Sequence, residues 1–386
     1  MRKLFIGLLV LSLHCGFSFI AVLGQDSDLR PQNPLRVIVV EGSPFERGVQ
    51  HGKALKEEIH ELIREWKSDL EQTYKMEAAG FIGKFLDETR YQEAIKKYTP
   101  DLWEELKGMA KGADVDFDTL YAFQLVDEFW CLGRDVAANH CTTFGAGKTD
   151  TQPSFTAQTL DIPMFHGYQT LLHVKDPETK LEAFVLSFPG FIGANGMNNA
   201  PVSVCVNAVQ QLAASRDGLP VAFVVRGVLE KKSYEEAVRF LKEIKFGAPQ
   251  NYLIGGIDDV ASFECSERQV DAFVPFSGAR FTYHTNHPLI NTNLSPDFMS
   301  YLKTMDKTPG SFEFSCPRLQ CLKDNYADNS ATLDLKELKK IFSHRESNIN
   351  NRSTFSCTIM VLSDKPELHI TAGRPDEAVF QEFTFN

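Results

Sequence analysis

The chain has 386 residues, of which 43% are hydrophobic and 24% charged, with a formal net charge of −11 at neutral pH. That balance argues against nucleic acid and anionic membrane as partners. No low-complexity linker or fixed-period repeat divides the chain, so one compact unit is expected rather than two domains.

Met1-Arg2-Lys3 is followed by an apolar run from Leu4 to about Leu23, with small residues at Ala21 and Gly24. This pattern predicts a secretory signal peptide over residues 1–24 and an exported mature protein. A retained membrane anchor is the competing reading. His14, Gly16 and Ser18 interrupt the run and weaken it. Removal of Arg2 and Lys3 takes the charge from −11 to −13. No later segment approaches the length of a spanning helix, so no membrane partner is expected once the signal is gone.

From about residue 43 to residue 129 the pattern is mostly helical. Ser43-Pro44-Phe45-Glu46 is a capping box with proline at the first helical position. Leu55, Ile59, Leu62 and Trp66 then recur at helical spacing. Thr99-Pro100-Asp101 opens a second helix with Leu102, Leu106 and Met109 on one face, and Asp116 caps a third. Short strands begin after residue 141: 142–146, 155–160, 171–174, 182–188 and 202–209. Ser233-Tyr234-Glu235-Glu236 opens a helix to about residue 245. Strands resume at 252–257, 261–265 and 272–275, and helices near 296–305, 311–322 and 333–342. The end is strand-rich, at 354–362, 367–371 and 379–385. Runs of strands interleaved with runs of helices predict a layered α+β fold.

Seven cysteines follow Cys15 of the signal: Cys131, Cys141, Cys205, Cys265, Cys316, Cys321 and Cys357. An odd count in an exported chain predicts one free thiol and up to three disulfides, with Cys316–Cys321 a mild favourite. There is no CxxC pair, and His284 and His287 have no ligand cluster around them. Neither a metal nor a cofactor is expected.

Cys141 in Asn139-His140-Cys141-Thr142-Thr143-Phe144 opens a strand, and Asp161 closes the strand that returns from Phe155. The two can meet in space. A cut before Cys141 would put a free α-amine beside its thiol, so that nucleophile and base sit on one residue. The plain alternative is a half-buried strand cysteine. The helix-to-strand switch falls at Cys141, where a propeptide boundary is expected. Four further segments stand in order. They are Asp161-Ile162-Pro163, Gly196-Met197-Asn198 with Val206-Asn207, His284-Thr285-Asn286-His287-Pro288, and Asn351-Arg352-Ser353-Thr354. Singly, each is an ordinary turn, hairpin or solvated arginine.

Together with Glu46-Arg47-Gly48-Val49-Gln50-His51-Gly52, the ordered set resembles the N-terminal-nucleophile (Ntn) hydrolases. The specific resemblance is to the acyl-coenzyme A:6-aminopenicillanic acid acyltransferase (isopenicillin N acyltransferase)-like cysteine hydrolases. Choloylglycine hydrolase and penicillin V acylase are more distant relatives. The resemblance runs from about residue 37 to residue 362. It implies a four-layer αββα sandwich preceded by a mostly helical N-terminal segment. It also implies self-cleavage of the His140–Cys141 bond, giving a 25–140 propeptide or α-subunit and a catalytic 141–386 segment that remain associated. Carried over residue by residue, Cys141 resembles the nucleophile and Asp161 the group that holds its amine. The Asn207 backbone N–H and the Asn286 side chain resemble the oxyanion hole, and Arg352 the arginine near the thiol. Two departures stand out. His140 precedes the cut where the acyltransferase has glycine. Gln158 lies where bile-salt and penicillin V hydrolases carry an arginine, which argues against a bile-salt substrate. The implied activity is cleavage of a linear, non-peptide amide C–N bond in a small molecule through a Cys141 thioester, with transfer to an amine as its sister version. The alternative is an uncleaved, non-catalytic binding or structural protein on the same scaffold.

Overall fold

The computed structural model describes residues 35–132, 141–331 and 333–385. The expected signal peptide and His140 lie outside them. The chain opens with a strand the sequence reading lacked, β1 (Arg36–Glu41), before seven helices. These are α1 (Pro44–Ala54), α2 (Lys56–Tyr74), α3 (Ala78–Asp87), α4 (Tyr91–Tyr98), α5 (Pro100–Ala113), α6 (Phe117–Phe123) and α7 (Val126–Leu132). The capping box at Ser43 and Glu46 forms as its residues dictate.

Beyond residue 141 come β2 (Thr142–Ala146), β3 (Ser154–Asp161), β4 (Thr170–Lys175), β5 (Glu182–Ser187), β6 (Asn195–Asn198) and β7 (Ser203–Ala208). Helices α8 (Val221–Leu229) and α9 (Tyr234–Glu243) follow, then β8 (Gln250–Gly255), β9 (Val260–Cys265), β10 (Val270–Phe273) and β11 (Phe281–His284). The chain continues with α10 (Pro296–Thr304), α11 (Pro317–Asn325) and α12 (Leu335–Phe342). It finishes with β12 (Thr354–Leu362), β13 (Glu367–Ile370) and β14 (Gln381–Thr384). The helix expected over 311–322 starts later, at Pro317. Its register is therefore set by that proline at the first helical position.

The strands form two sheets, an eight-stranded one ordered β1-β4-β5-β6-β7-β8-β9-β10 and a six-stranded one ordered β11-β2-β3-β12-β13-β14. Strands β2 and β3 of one lie against β7, β8 and β9 of the other, α8 and α9 cover the larger sheet, and α11 and α12 the smaller. This is a four-layer αββα sandwich. Its outer layers are apolar: Phe144, Phe155 and Ala157 pack with Leu319, Leu338 and Phe342. The seam between the sheets is mixed, with Leu253, Val260 and Leu362 beside a set of polar pairs. Thr143 Oγ1 donates to Asn207 Oδ1 at 2.7 Å, Thr156 and Ser203 hydroxyls meet at 2.7 Å, and Asn195 Nδ2 donates to Gln158 Oε1 at 2.8 Å.

Residues 35–132 are built into this sandwich. β1 pairs in parallel with β4. Helices α1 and α5 cross at glycine faces, Gly48 and Gly52 on one and Gly108 and Gly112 on the other. A Cβ at any of the four would collide with backbone of the facing helix. This accounts for the Gly48 and Gly52 spacing seen in the sequence. Beside the crossing, Arg226 of α8 holds Glu105 of α5 bidentately at 2.8 and 3.0 Å, and Arg47 joins at 3.3 Å. All three are buried. Burial alone would push the Glu105 carboxyl up, but Arg226 and Arg47 outweigh it and hold the group below its ordinary value.

The expected disulfides are not formed, and Cys141 is not the one free thiol: all seven described cysteines are free. The Cys316–Cys321 pairing fails on helical geometry. Cys316 caps α11 and Cys321 lies in its second turn, five residues on, which puts them on different sides of the helix. Their sulfurs have separate partners, Thr285 Oγ1 for Cys316 and Asn325 Nδ2 for Cys321.

Gly48→Ala is expected to destabilise the fold by about 3 kcal/mol, because the added methyl meets backbone that cannot move aside. Glu105→Ala, which strands two buried guanidinium groups, is expected to cost about 3–5 kcal/mol. Denaturant midpoints at constant slope read both. An unchanged midpoint for Gly48→Ala would mean the two helices do not meet at their glycines.

Candidate active site

Cys141 stands one residue ahead of β2. The β2–β3 register pairs Thr142 with Thr159, which carries Cys141 towards Leu160 and Asp161. Asp161 in turn pairs with Thr354 of β12. The backbone of Asp161 hydrogen-bonds the Cys141 thiol. Its carboxylate Oδ2 accepts from Asn351 Nδ2 at 2.6 Å, while Oδ1 is buried with no partner among the described residues. Burial raises the Asp161 carboxyl to about 7, against the pull of Thr354, Arg318 and Asn351. Burial, and then the Asp161 charge, raise the Cys141 thiol to about 12, with Arg318 opposing. An unassisted thiol in this setting is protonated at neutral pH.

Arg318, in the first turn of α11, ties the site together. Its Nη1 donates to the Cys141 carbonyl oxygen and, at 3.0 Å, to Thr142 Oγ1. Its Nη2 donates to Asn286 Oδ1 at 2.9 Å. The Asn286 amide nitrogen donates to the Ala208 carbonyl at 3.1 Å, next in the chain to Asn207. The Asn207 side chain faces the seam, where Oδ1 accepts from Thr143 and, at 3.0 Å, from Asn251 Nδ2. The turn carrying Asn286 is held by Glu264, which pairs with His284 at 2.7 Å and accepts the N–H groups of Leu289, Ile290 and Asn291.

Cys141, Asp161, Asn207 and Asn286 thus gather around one seam, but Arg352 does not join them. It is exposed, and the guanidinium beside Cys141 belongs to Arg318. The strand β12 begins two residues after Arg352 and turns Asn351, not Arg352, onto Asp161. Arg318 and Asn351 were missed in the sequence. Pro317 was the available signal for Arg318, since a proline at the first helical position places the next residue in the opening turn.

An apolar cleft opens at Cys141. Leu160, Ile162, Phe165, Phe188, Phe191 and Val206 line it, with Val126, Asp127 and Trp130 from α7. The Phe165 and Phe188 rings stack at 3.8 Å and Phe188 and Phe191 at 4.4 Å. The wall loop around Gly190–Ile192 is clamped from the N-terminal segment. Gln124 donates to the Gly190 carbonyl at 2.7 Å and accepts from the Ile192 N–H at 3.0 Å. His51 Nε2 accepts from the Gly190 N–H at 3.3 Å. Burial lowers His51 to about 4, which keeps the ring neutral and able to accept. Among the described residues, no group of three His, Cys, Asp or Glu is placed to hold a metal, and no helix is long and apolar enough to cross a membrane.

The chain belongs to the acyl-coenzyme A:6-aminopenicillanic acid acyl-transferase family, whose model matches residues 148–371. Its members are acyltransferases and amidohydrolases of the Ntn-hydrolase class, acting on small acyl and amide compounds. Among known proteins the chain is similar to the acyl-coenzyme A:6-aminopenicillanic-acid-acyltransferase 40 kDa form of Emericella nidulans. The two are 24% identical over 355 residues, covering 90% of this chain and 96% of that one. Protein dcd1A of Dictyostelium discoideum is 25% identical over 239 residues, 54% of this chain and 53% of its own. Among solved structures, a mutant of conjugated bile acid hydrolase from Clostridium perfringens is 13% identical, with a TM-score of 0.38 over 63% of this chain and 97% of its own. Penicillin V acylase from Agrobacterium tumefaciens is 16% identical, with a TM-score of 0.36 over 60% of this chain and 83% of its own.

Four carboxyls, Asp161 and Glu128 buried and Asp127 and Glu230 half-buried, are raised, Asp161, Asp127 and Glu230 to about 7 and Glu128 to about 8, each first because desolvation penalises its charge. A carboxyl raised on folding binds its proton more tightly in the native state between its unfolded value near 4 and its folded value. Their contribution to stability is therefore expected to fall as pH rises from about 4 to about 8; below about 6.5 the buried His51, lowered to about 4, acts in the opposite sense, so the fall is read above that pH. In the uncut Cys141→Ala variant, melting temperature should be higher at pH 6.5 than at pH 8, and adding Asp161→Asn should narrow the gap. An unchanged gap would mean that burial does not hold Asp161 protonated.

Proposed function

We propose that this protein is an exported, self-cleaving cysteine amidase of its family, with acyl transfer to an amine as a branch of the same reaction. The observation that supports it most is Cys141 one residue ahead of β2, its thiol against Asp161, whose Oδ1 has no partner among the described residues, in the lining of an apolar cleft. Export is supported by the charged and apolar pattern of residues 1–24.

Processing comes first. The Cys141 thiol adds to the His140 carbonyl carbon, and the peptide C–N bond breaks as nitrogen takes the thiol proton. A thioester and a free α-amine result. Water hydrolyses the thioester, leaving His140 a carboxylate and Cys141 an N-terminus. Residues 25–140 and 141–386 then stay together, a reading supported by β1 within the larger sheet and by the Glu105–Arg226 pair.

Turnover reuses the same atoms. A thiol raised by burial needs a base, and the new amine beside it serves. Asp161 Oδ1 orients that amine. As sulfur adds to the amide carbon, charge builds on the carbonyl oxygen. The Asn207 backbone N–H and the second amide hydrogen of Asn286 are its donors. The amine product leaves with the proton taken from the thiol. Water, or an acceptor amine, then adds to the thioester and restores the thiol. The phenylalanine walls support an apolar acyl group. Arg318 holds Asn286 and lowers the cost of a thiolate at Cys141.

N-terminal sequencing and intact mass of the secreted protein should give two chains, beginning at Gln25 and Cys141. Cys141→Ala should give one chain. A new N-terminus at 141 in that variant removes self-processing. A wild-type chain that stays uncut and turns over no amide returns the protein to a binding scaffold. On the processed enzyme, Arg318→Met is expected to lower kcat about 100-fold, and Arg352→Met to change it less than about twofold. Equal losses would put Arg352 back at the thiol.

A further inference from the structure

We propose that the corner of the Cys141 cleft formed by Asp127 and Gln250 is a subsite for a primary ammonium group borne on an apolar chain, which makes Asp127 a specificity-determining residue. This rests on the reading of that cleft as the substrate site. Helix α7 brings Asp127 to the cleft wall, and Gln250 opens β8 beside it. Gln250 Nε2 donates to Asp127 Oδ1 at 3.0 Å. That leaves Gln250 Oε1, on a side chain 1% exposed, with no partner among the described residues. Glu128, which follows Asp127 but does not line the cleft, accepts the Val221 N–H on Oε1 at 3.0 Å, and its Oε2 has no partner among the described residues.

The corner therefore offers acceptors and negative charge. No cation of the described residues acts on either carboxyl, and burial holds both near neutral pH in their titration, Asp127 at about 7 and Glu128 at about 8. Buried carboxylates in this state are costly unless paired. An ammonium brings a charge and three donors, where a hydroxyl brings one donor and no charge. A carboxylate or phosphate is repelled. Val126, Trp130 and Val221 line the same wall and suit an alkyl chain behind the charged head.

The test is calorimetric binding of n-hexylammonium and of 1-hexanol to the purified protein as it is secreted, at pH 7.5, in the wild type and in Asp127→Asn. The ammonium is expected to bind about 10-fold tighter than the alcohol to the wild type, with that preference lost in Asp127→Asn. Equal affinities, no ammonium binding, or a preference kept in Asp127→Asn overturns the subsite. If Asp127→Asn does not fold, Gln250→Met reads the same corner by the same loss of preference. Hydrolysis of heptanoyl and 6-aminohexanoyl p-nitroanilides separates this from the proposed function. Turnover without ammonium preference in binding overturns the subsite alone. Ammonium preference without turnover of either anilide supports the subsite and removes the amidase reading.

Discussion

The rest of the molecule depends on a polar seam between two sheets. A β-sandwich ordinarily joins apolar faces. Here the facing surfaces carry Thr143, Thr156, Gln158, Asn195, Ser203 and Asn207 beside Leu253, Val260 and Leu362, while Phe144, Phe155 and Ala157 look outward to helices. Each buried hydrogen bond in the seam adds only about 1 kcal/mol net, but each one broken costs about 1–3 kcal/mol. An apolar interface can slide by a residue at modest cost, whereas this one cannot. Moving β2 against β7 would part Thr143 from Asn207 and Thr156 from Ser203 together. The seam thereby fixes where the first residue of β2 sits relative to the end of β7. Cys141, Asn207 and Ala208 meet for that reason.

Polar seams need apolar backing, and the helices provide it. Helix α8, Val221-Ala222-Phe223-Val224-Val225-Arg226-Gly227-Val228-Leu229, is buried on every side. Its arginine is tolerated inside because Glu105 neutralises it bidentately and Ile192 O accepts from it at 3.0 Å. Glu105 comes from the segment before Cys141, and Ile192 from the wall of the cleft. One buried ion pair thus couples the N-terminal helices, the catalytic sheets and the pocket. The glycine crossing of α1 and α5 is what lets Glu105 approach, since side chains there would hold the helices apart.

Much of this was legible in the sequence, and the gaps have physical causes. Amphipathic helices such as α2 and α5, with one buried stripe, announce themselves by period. Helix α8 did not, because a helix buried all round has no polar face to mark its period. Strand β1 was missed because its outward positions, Val37 and Val39, are apolar, so the residues do not alternate in polarity although Ile38 and Val40 turn inward and the valines outward. At the site, Cys141 and Asp161 were visible because a hairpin register relates them locally. Arg318 lies 177 residues from Cys141. Only the tertiary fold brings it there, while Arg352, nearer in sequence to β12, looked the better match. The disulfides were over-read from a count. Cys205, Cys265 and Cys357 are buried strand residues packed as small hydrophobes, a use that an odd or even tally cannot reveal.

If the chain is cut before Cys141 as proposed, the electrostatics around the thiol tie that cut to catalysis. In the uncut chain the nitrogen of Cys141 is an amide and cannot take a proton. The thiol then faces Asp161 and Asp127, both of which raise it, with Arg318 the cation that pulls it down. A thiol held at about 12 is poorly nucleophilic at neutral pH, so the uncut site is suited to one slow intramolecular attack on the adjacent bond. Freeing the amine changes the balance. It can take the thiol proton, and as an ammonium it gives the buried Asp161 carboxylate a partner. The same cation then draws the Asp161 proton off, since an opposite charge a few ångströms away favours the ionised form. On that proposal one broken bond would supply the base, ionise its orienting group and lower the cost of the thiolate.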